Sequence, residues 1–137
     1  MDKLFLDTNV VVDFLCERRD EFYLPAAMLM VKSYNKEIEL SCSTLTLATA
    51  SYFMEKGRIN HVEIFHKISD MISLCELVNV DRNVVEQALS SKFTDFEDAL
   101  QYFSAKKYGA DFIITRNKKD FSTSKLPVLT PTEYLNF

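Results

Sequence analysis

Residues 3–9, Lys3-Leu4-Phe5-Leu6-Asp7-Thr8-Asn9, run directly into a second apolar stretch, Val10 to Leu15, and this segment decides the fold. A short hydrophobic run that closes on an acid, then a Thr-Asn pair, then renewed apolar residues reads as strand, turn and helix. The pattern continues outward. Residues 22–36 place Leu24, Ala27, Met28, Val31 and Tyr34 close to the i, i+3, i+4, i+7 spacing of an amphipathic helix, with Pro25 tolerable only in its first turn. Residues 39–43 (ELSCS) predict a strand, and residues 44–56 a helix stopped by Gly57. Residues 60–74 give a further helix. Residues 76–80 (ELVNV) predict a third strand, after which Asp81 can cap a helix carrying Val84, Val85 and Leu89. Thr94 or Asp95 opens the next helix, with Phe96, Ala99, Leu100 and Phe103 at core spacing and an end near Gly109. Residues 111–115 (DFIIT) are the clearest buried strand, and residues 127–129 form a short last one. Strands alternating with helices at this interval imply β-α-β units about a parallel sheet, an α/β fold.

The chain of 137 residues is long enough for one domain, residues 1–137, and 47% hydrophobic residues furnish its core. Two Gly and three Pro argue against a disordered, collagenous or turn-rich all-β chain. The longest apolar stretch, residues 24–31, falls far short of the ~20 residues a membrane helix requires, so no membrane role is expected. Asp7 and Asp13 interrupt the opening apolar segment, which has no small-residue cleavage site; the expectation is a cytoplasmic protein without a signal peptide. Cys16, Cys42 and Cys75 form no Cys-x-x-Cys pair and have no His at metal spacing, and they read as reduced core residues far apart from one another.

A formal charge of −4 disfavours nucleic acid at first sight. The placement of the acids matters more than their sum, because carboxylates gathered around a metal ion make a chain acidic without repelling a phosphate once the ion is bound. In a parallel sheet the functional crevice lies beyond the carboxyl ends of the strands. Asp7 ends the first predicted strand. The strand 111–115 leads into Arg116, Asn117 and Asp120. Asp95 and Asp98 lie about 60° apart near the start of the helix before it. Clustered carboxylates raise one another's pKa, a cost that a divalent cation removes, and oxygen donors from Asp, Asn and water suit Mg²⁺ or Mn²⁺. Such an ion polarises a phosphodiester and acidifies an attacking water, so the pattern points to phosphodiester hydrolysis.

Each residue also has a plainer reading. Asp7 and Asp95 suit helix caps, and Asp98 could simply favour the positive end of its helix. Asn117 could make a turn and Asp120 cap the next short helix. Thr8 could serve the turn or support the site. Arg116, Lys118 and Lys119 could be a solvated loop, or Arg116 could grip a phosphate.

The strings LDTNVVVDFL, DFEDALQYFSAKKYGADFIITRN and KKDF, in that order and spacing, resemble the PIN-domain family, which includes ribonuclease toxins of bacterial toxin–antitoxin pairs. The resemblance covers nearly the whole chain. It implies a PIN-like three-layer α/β/α fold with a central, mainly parallel sheet of four to five strands. It also implies a Mg²⁺- or Mn²⁺-dependent endoribonuclease with Asp7, Asp98 and Asp120 as catalytic acids. Asp7, Asp95, Asp98, Asn117 and Asp120 are the implied metal ligands, and Thr8, Arg116 and Asn117 the implied substrate contacts. RNA as substrate, an antitoxin protein as partner and a homodimer follow from the same resemblance. One departure stands out: in the string Ser43-Thr44-Leu45-Thr46-Leu47-Ala48-Thr49, Thr49 occupies the position where the family usually carries Glu.

Two functions therefore compete: the nuclease, and a catalytically weakened PIN-like domain acting by RNA or antitoxin binding, which Thr49 favours. A receiver-like or phosphatase domain is a third. It fits poorly, because the Asp7-Thr8-Asn9 turn lacks the second nearby acid that such sites place beside their metal.

Overall fold

The computed structural model describes residues 1–17 and 20–137. Its centre is β1 (Asp2–Leu6), in which Leu4, Phe5 and Leu6 are fully buried. The two-residue period of a strand sends Leu4 and Leu6 into one core and Phe5 into another on the opposite face. A strand covered on both faces belongs in the middle of a sheet. β1 pairs in parallel with β2 (Ile38–Ser43) on one side and with β4 (Phe112–Ile114) on the other. β3 (Cys75–Val78) extends the sheet beyond β2 and β5 (Val128–Leu129) beyond β4, giving the order β3-β2-β1-β4-β5 with every pairing parallel.

Helices cover both faces. α1 (Thr8–Leu15), α2 (Tyr23–Tyr34), α3 (Thr44–Lys56) and α4 (His61–Ile72) contribute to the core that contains Leu4 and Leu6. On the other face, α6 (Phe96–Tyr108) packs Tyr102 and Ala105 around Phe5 and Ile113, while α5 (Arg82–Leu89) meets it through Val84, Ala88, Ala99 and Leu100. This is a three-layer α/β/α arrangement. The connections leaving β1 and β4 part to opposite faces: α1 sends Val10, Val11 and Leu15 into one core, and the 3₁₀ turn Lys118–Phe121 sends Phe121 into the other. Adjacent parallel strands whose connections diverge leave a crevice between their carboxyl ends.

Several local expectations are corrected. No turn intervenes after β1; Asp7 itself caps α1, and Thr8 is already helical. The stop of α3 is not a glycine effect, for Gly57 has φ −77° and the left-handed conformation falls on Arg58 at φ 65°. Gly109, by contrast, closes α6 at φ 83°, a conformation that only a residue without Cβ adopts cheaply. Asp120 lies inside the 3₁₀ turn rather than capping it. Cys42 and Cys75 are neighbours, with Sγ atoms 3.7 Å apart, and are not remote from each other; all three cysteines are free thiols. Beyond the last predicted strand a seventh helix, α7 (Pro131–Leu135), opens with a Thr130–Glu133 capping box and a proline in its first turn. Among the described residues no helix is long and apolar enough to cross a membrane.

Candidate active site

Asp7 sits at the junction of β1 and α1, 5% exposed, and its carboxylate is held on every side. Oδ1 accepts from the Thr8 backbone N–H at 2.9 Å and from Gln101 Nε2 at 3.3 Å. Oδ2 accepts from Thr115 Oγ1 at 2.8 Å and Asn9 Nδ2 at 3.2 Å. The placement follows from the sheet register, because Leu6 pairs with Ile114, and Asp7 N–H donates to the Ile114 carbonyl at 2.9 Å. Thr115, one residue past β4, therefore meets Asp7, one residue past β1.

A layer of buried hydroxyls and one amide lies behind this acid. Gln101, on α6 and 1% exposed, reaches Thr8 Oγ1 and Thr46 Oγ1 at 3.1 Å each through Nε2, and its Oε1 accepts from Ser43 Oγ at 2.9 Å. Thr8 and Thr46 hydroxyls lie 2.9 Å apart. Ser43 also caps α3, accepting from Thr46 N–H at 3.2 Å. One side chain of α6 thus joins the end of β1 to the start of α3.

In front of Asp7 opens a cavity of about 500 Å³. It is lined by Asp7, Thr8 and Asn9 after β1, by Asp95, Glu97 and Asp98 at the start of α6, by Thr49 and Phe53 of α3, and by Arg116, Asn117 and Asp120 after β4. Every acid, amide and hydroxyl residue assigned to the site from the sequence lines it, as does Arg116, whereas Lys118 and Lys119 do not. Asp95 reaches its position as the cap of α6, accepting from Asp98 N–H at 2.9 Å. Thr49, at the position where a carboxylate was expected, faces the same cavity.

The negative charges are felt throughout. Burial pushes the Asp98 carboxyl up to about 7, with further upward pressure from Asp95, Asp7, Asp120 and Glu97 in that order. Burial raises Asp7 as well; hydrogen bonds from Thr115, Thr8 and Gln101 oppose it, and Asp120 adds to the rise. Glu97 is raised by partial burial, then by Asp7 and Asp95, with a contact to the Thr8 side chain pulling the other way. The nearby cations are partly committed elsewhere. Arg116 Nη1 pairs with buried Asp13 at 2.9 Å and its guanidinium stacks on Phe22, 3.7 Å from the ring centroid, while its backbone N–H donates to Asn9 Oδ1 at 3.2 Å. Lys118 pairs with Glu133 at 3.1 Å.

The donor set is all oxygen, open to water and short of positive charge, which suits a hard divalent ion that keeps several waters. Among the described residues no three His, Cys, Asp or Glu side chains are already drawn together as a ligand group. Nor is Asp7 idle: four donors meet the roughly four lone-pair positions of its carboxylate. A cation taking an oxygen of Asp7 exchanges with one of the two longer contacts, Asn9 or Gln101, and Asn9 is the one that also lines the cavity.

Three features escaped the sequence reading. Glu97 adjoins Asp98 in the string FEDAL, yet only the structure shows it on the cavity wall. Gln101 carried a signal, a polar residue inside an apolar helical face. Past Asp95, Asp98 and Asp120 a second groove of about 450 Å³ continues the first and brings Lys92 and Lys119 together with Thr94, Ser122 and Thr123.

A parallel five-stranded sheet between helical layers, with acids from separated segments at the β1/β4 crevice, is the architecture of a nuclease-type α/β domain. The chain belongs to the PIN-domain family, whose model matches residues 3–119. It is 30% identical over 138 residues to Ribonuclease VapC1 of Aquifex aeolicus (strain VF5), covering 97% of this chain and 93% of that one. Two solved structures share the fold. VapBC2 from Rickettsia felis, bound to a promoter DNA fragment, superposes with a TM-score of 0.67 at 18% identity, over 93% of this chain and 96% of that one. A toxin–antitoxin complex from Klebsiella pneumoniae gives 0.66 at 22%, over 93% and 97%.

Proposed function

We propose that this chain is an endoribonuclease that hydrolyses RNA phosphodiester bonds with the aid of Mg²⁺ or Mn²⁺ and serves as the toxin of a toxin–antitoxin pair. The observation that carries the reading is the cavity itself: in a PIN-family chain with a ribonuclease relative, Asp7, Asp98 and Asp120 from three separated segments line one crevice. Asp7, Asp98 and Asp120 would hold the ion, and Asp95 and Asn117 line the same cavity. The bound ion supplies Lewis-acid polarisation of the phosphate and acidification of a water. Asp7 keeps its orientation through Thr115 and Gln101. Asp98 lines the cavity in front of Asp7, where its carboxylate would help hold the ion that activates the water. Asn117, Thr8 and Arg116 line the same cavity and contact the RNA, and Lys92 and Lys119 give its phosphates a path beyond the acids.

An antitoxin partner and a homodimer belong to the same proposal. Leu24, Met28 and Val31 form an exposed apolar stripe on α2, at a spacing that one packed helix or a second copy would cover.

A second reading, a weakened domain that binds RNA or antitoxin without efficient cleavage, is favoured by Thr49, which puts a neutral side chain on the cavity wall. One assay separates the two. The nuclease cuts RNA only with added Mg²⁺ or Mn²⁺ and loses cutting in Asp98→Asn while remaining folded. The binding domain retains RNA in chelator and gives no cut products at high Mn²⁺. Cutting that survives Asp98→Asn defeats the assignment.

A further inference from the structure

The wall of the cavity built by α3 carries no charge. Thr46, Thr49 and Phe53 follow one another along one face of that helix; Thr46 touches Thr8 and Gln101, and Thr49 and Phe53 line the space above. The start of α6, which lines the same cavity, carries one carboxylate more than the sequence pattern leads one to expect there. We propose that Glu97, from the first turn of α6, supplies the metal-binding carboxylate that α3 lacks at Thr49. The proposal rests on reading the cavity as a divalent-cation site.

Helix geometry carries the argument. At 100° per residue, Gln101 projects about 40° from Glu97 and about 60° from Asp98, so it lies between them, one turn further along. Gln101 marks the direction of Asp7, because its amide reaches Asp7 Oδ1 at 3.3 Å and Thr8 Oγ1 at 3.1 Å. Glu97 and Asp98 therefore stand on either side of the line to Asp7, and both line the cavity. Thr49 lines the same cavity. A glutamate, one methylene longer than aspartate, reaches into the space that a neutral threonine leaves.

The need for such a donor follows from Asp7. Thr8, Asn9 and Thr115 already donate to its carboxylate, and Gln101 divides two N–H groups among Asp7, Thr8 and Thr46, so Asp7 is largely committed and the other carboxylates would carry more of the ion's charge. Glu97 could otherwise serve only the positive end of α6. That role requires no cavity-facing position, and it predicts a different experimental result.

The test is Mn²⁺ binding to the full-length protein without RNA, measured by titration calorimetry, with melting curves in EDTA as a control for folding. Glu97→Gln is expected to weaken Mn²⁺ binding about 10- to 100-fold, in the range of altered metal surroundings. Its melting curve in EDTA should remain cooperative, with a midpoint at or above that of the parent, because one charge leaves an uncompensated acidic cluster. Adding Thr49→Glu to Glu97→Gln is expected to recover most of the lost affinity. If Glu97→Gln binds Mn²⁺ as the parent does while Asp98→Asn has lost it, Glu97 is only a helix-end charge and the proposal falls. If Thr49→Glu restores nothing in the Glu97→Gln background, the exchange of walls is likewise refuted. If Asp98→Asn also binds normally, or the parent takes up no Mn²⁺, the cation site itself is wrong and this inference goes with it.

Discussion

The side-chain amide of Gln101 donates to Asp7 Oδ1 at 3.3 Å across 94 residues of sequence, and the same buried amide group contacts Thr8 and Thr46. Replacing Gln101 by Leu removes those donors and takes one acceptor from the Ser43 hydroxyl, which keeps its contacts to Thr46. The expected cost is about 1–3 kcal/mol, the desolvation penalty of unpaired buried polar groups, read by urea unfolding. With Asp7 no longer oriented, kcat for RNA should fall while KM changes little. A stability loss with kcat intact would make Gln101 a packing residue alone.

Asp98 gives the stability of the metal-free protein a definite pH dependence. Its carboxyl is raised from 3.8 to about 7 on folding, so the folded state favours the protonated form. That contribution is complete below about pH 4 and is lost as pH rises through about 7. Asp7 and Glu97, also raised, act with the same sign. Asp81 and Glu133 are held low, chiefly by the backbone amides of Val84 and Thr130, and act with the opposite sign at more acid pH. In EDTA, therefore, the melting temperature should decline between about pH 5 and 8, and Asp98→Asn should flatten this decline. An equal slope in the variant would show that Asp98 is not the group responsible.

Arg116 has a structural duty beside any contact with RNA. Its partner Asp13 has a side chain only 2% exposed, so Arg116→Ala leaves a carboxylate buried without the guanidinium. A loss of about 3 kcal/mol is expected in denaturant unfolding. Arg116→Lys keeps the charge but gives up the planar stacking over Phe22 and should fall between the two. A loss below about 1 kcal/mol for Arg116→Ala would mean that the other surroundings of Asp13, or water, hold its charge without penalty.

Lys92 and Lys119 border the groove beyond the acids and offer charge to the phosphates of a bound strand. Alanine at either should raise KM for RNA and reduce the salt dependence of binding by about one phosphate contact each, with Mn²⁺ affinity unchanged. An unaltered salt slope in the double variant would place the strand elsewhere.

The sequence disclosed the architecture because β1 and β4 are short, apolar and end in polar residues, and because buried central strands leave little freedom in such runs. Acids at strand ends were legible for the same reason: Asp7 and the residues after Ile114 occupy positions that topology directs to one crevice. Helix caps at Ser43, Asp81 and Asp95 depend on three-residue spacing alone, and Asp81 and Asp95 could be read directly. What the sequence concealed was relation across elements. Nothing in FEDAL distinguishes an acid serving the helix end from one lining the cavity with Thr49, and no local signal joins Gln101 to Asp7. The proximity of Cys42 and Cys75 needed the pairing of β2 with β3. The closing helix, by contrast, had a legible capping box in Thr130-Pro131-Thr132-Glu133.

The pairing of β1 on both edges has a bearing on biosynthesis. A ribosome delivers Asp7 more than one hundred peptide bonds ahead of its partner Thr115 and the strand that brings it. Until then the acid lacks its neighbour from β4, the central strand has one bare edge, and the crevice has no far side. A polypeptide arrested between the two would thus carry the acid without the crevice, and any chemistry that depends on the assembled crevice would wait for the later strand.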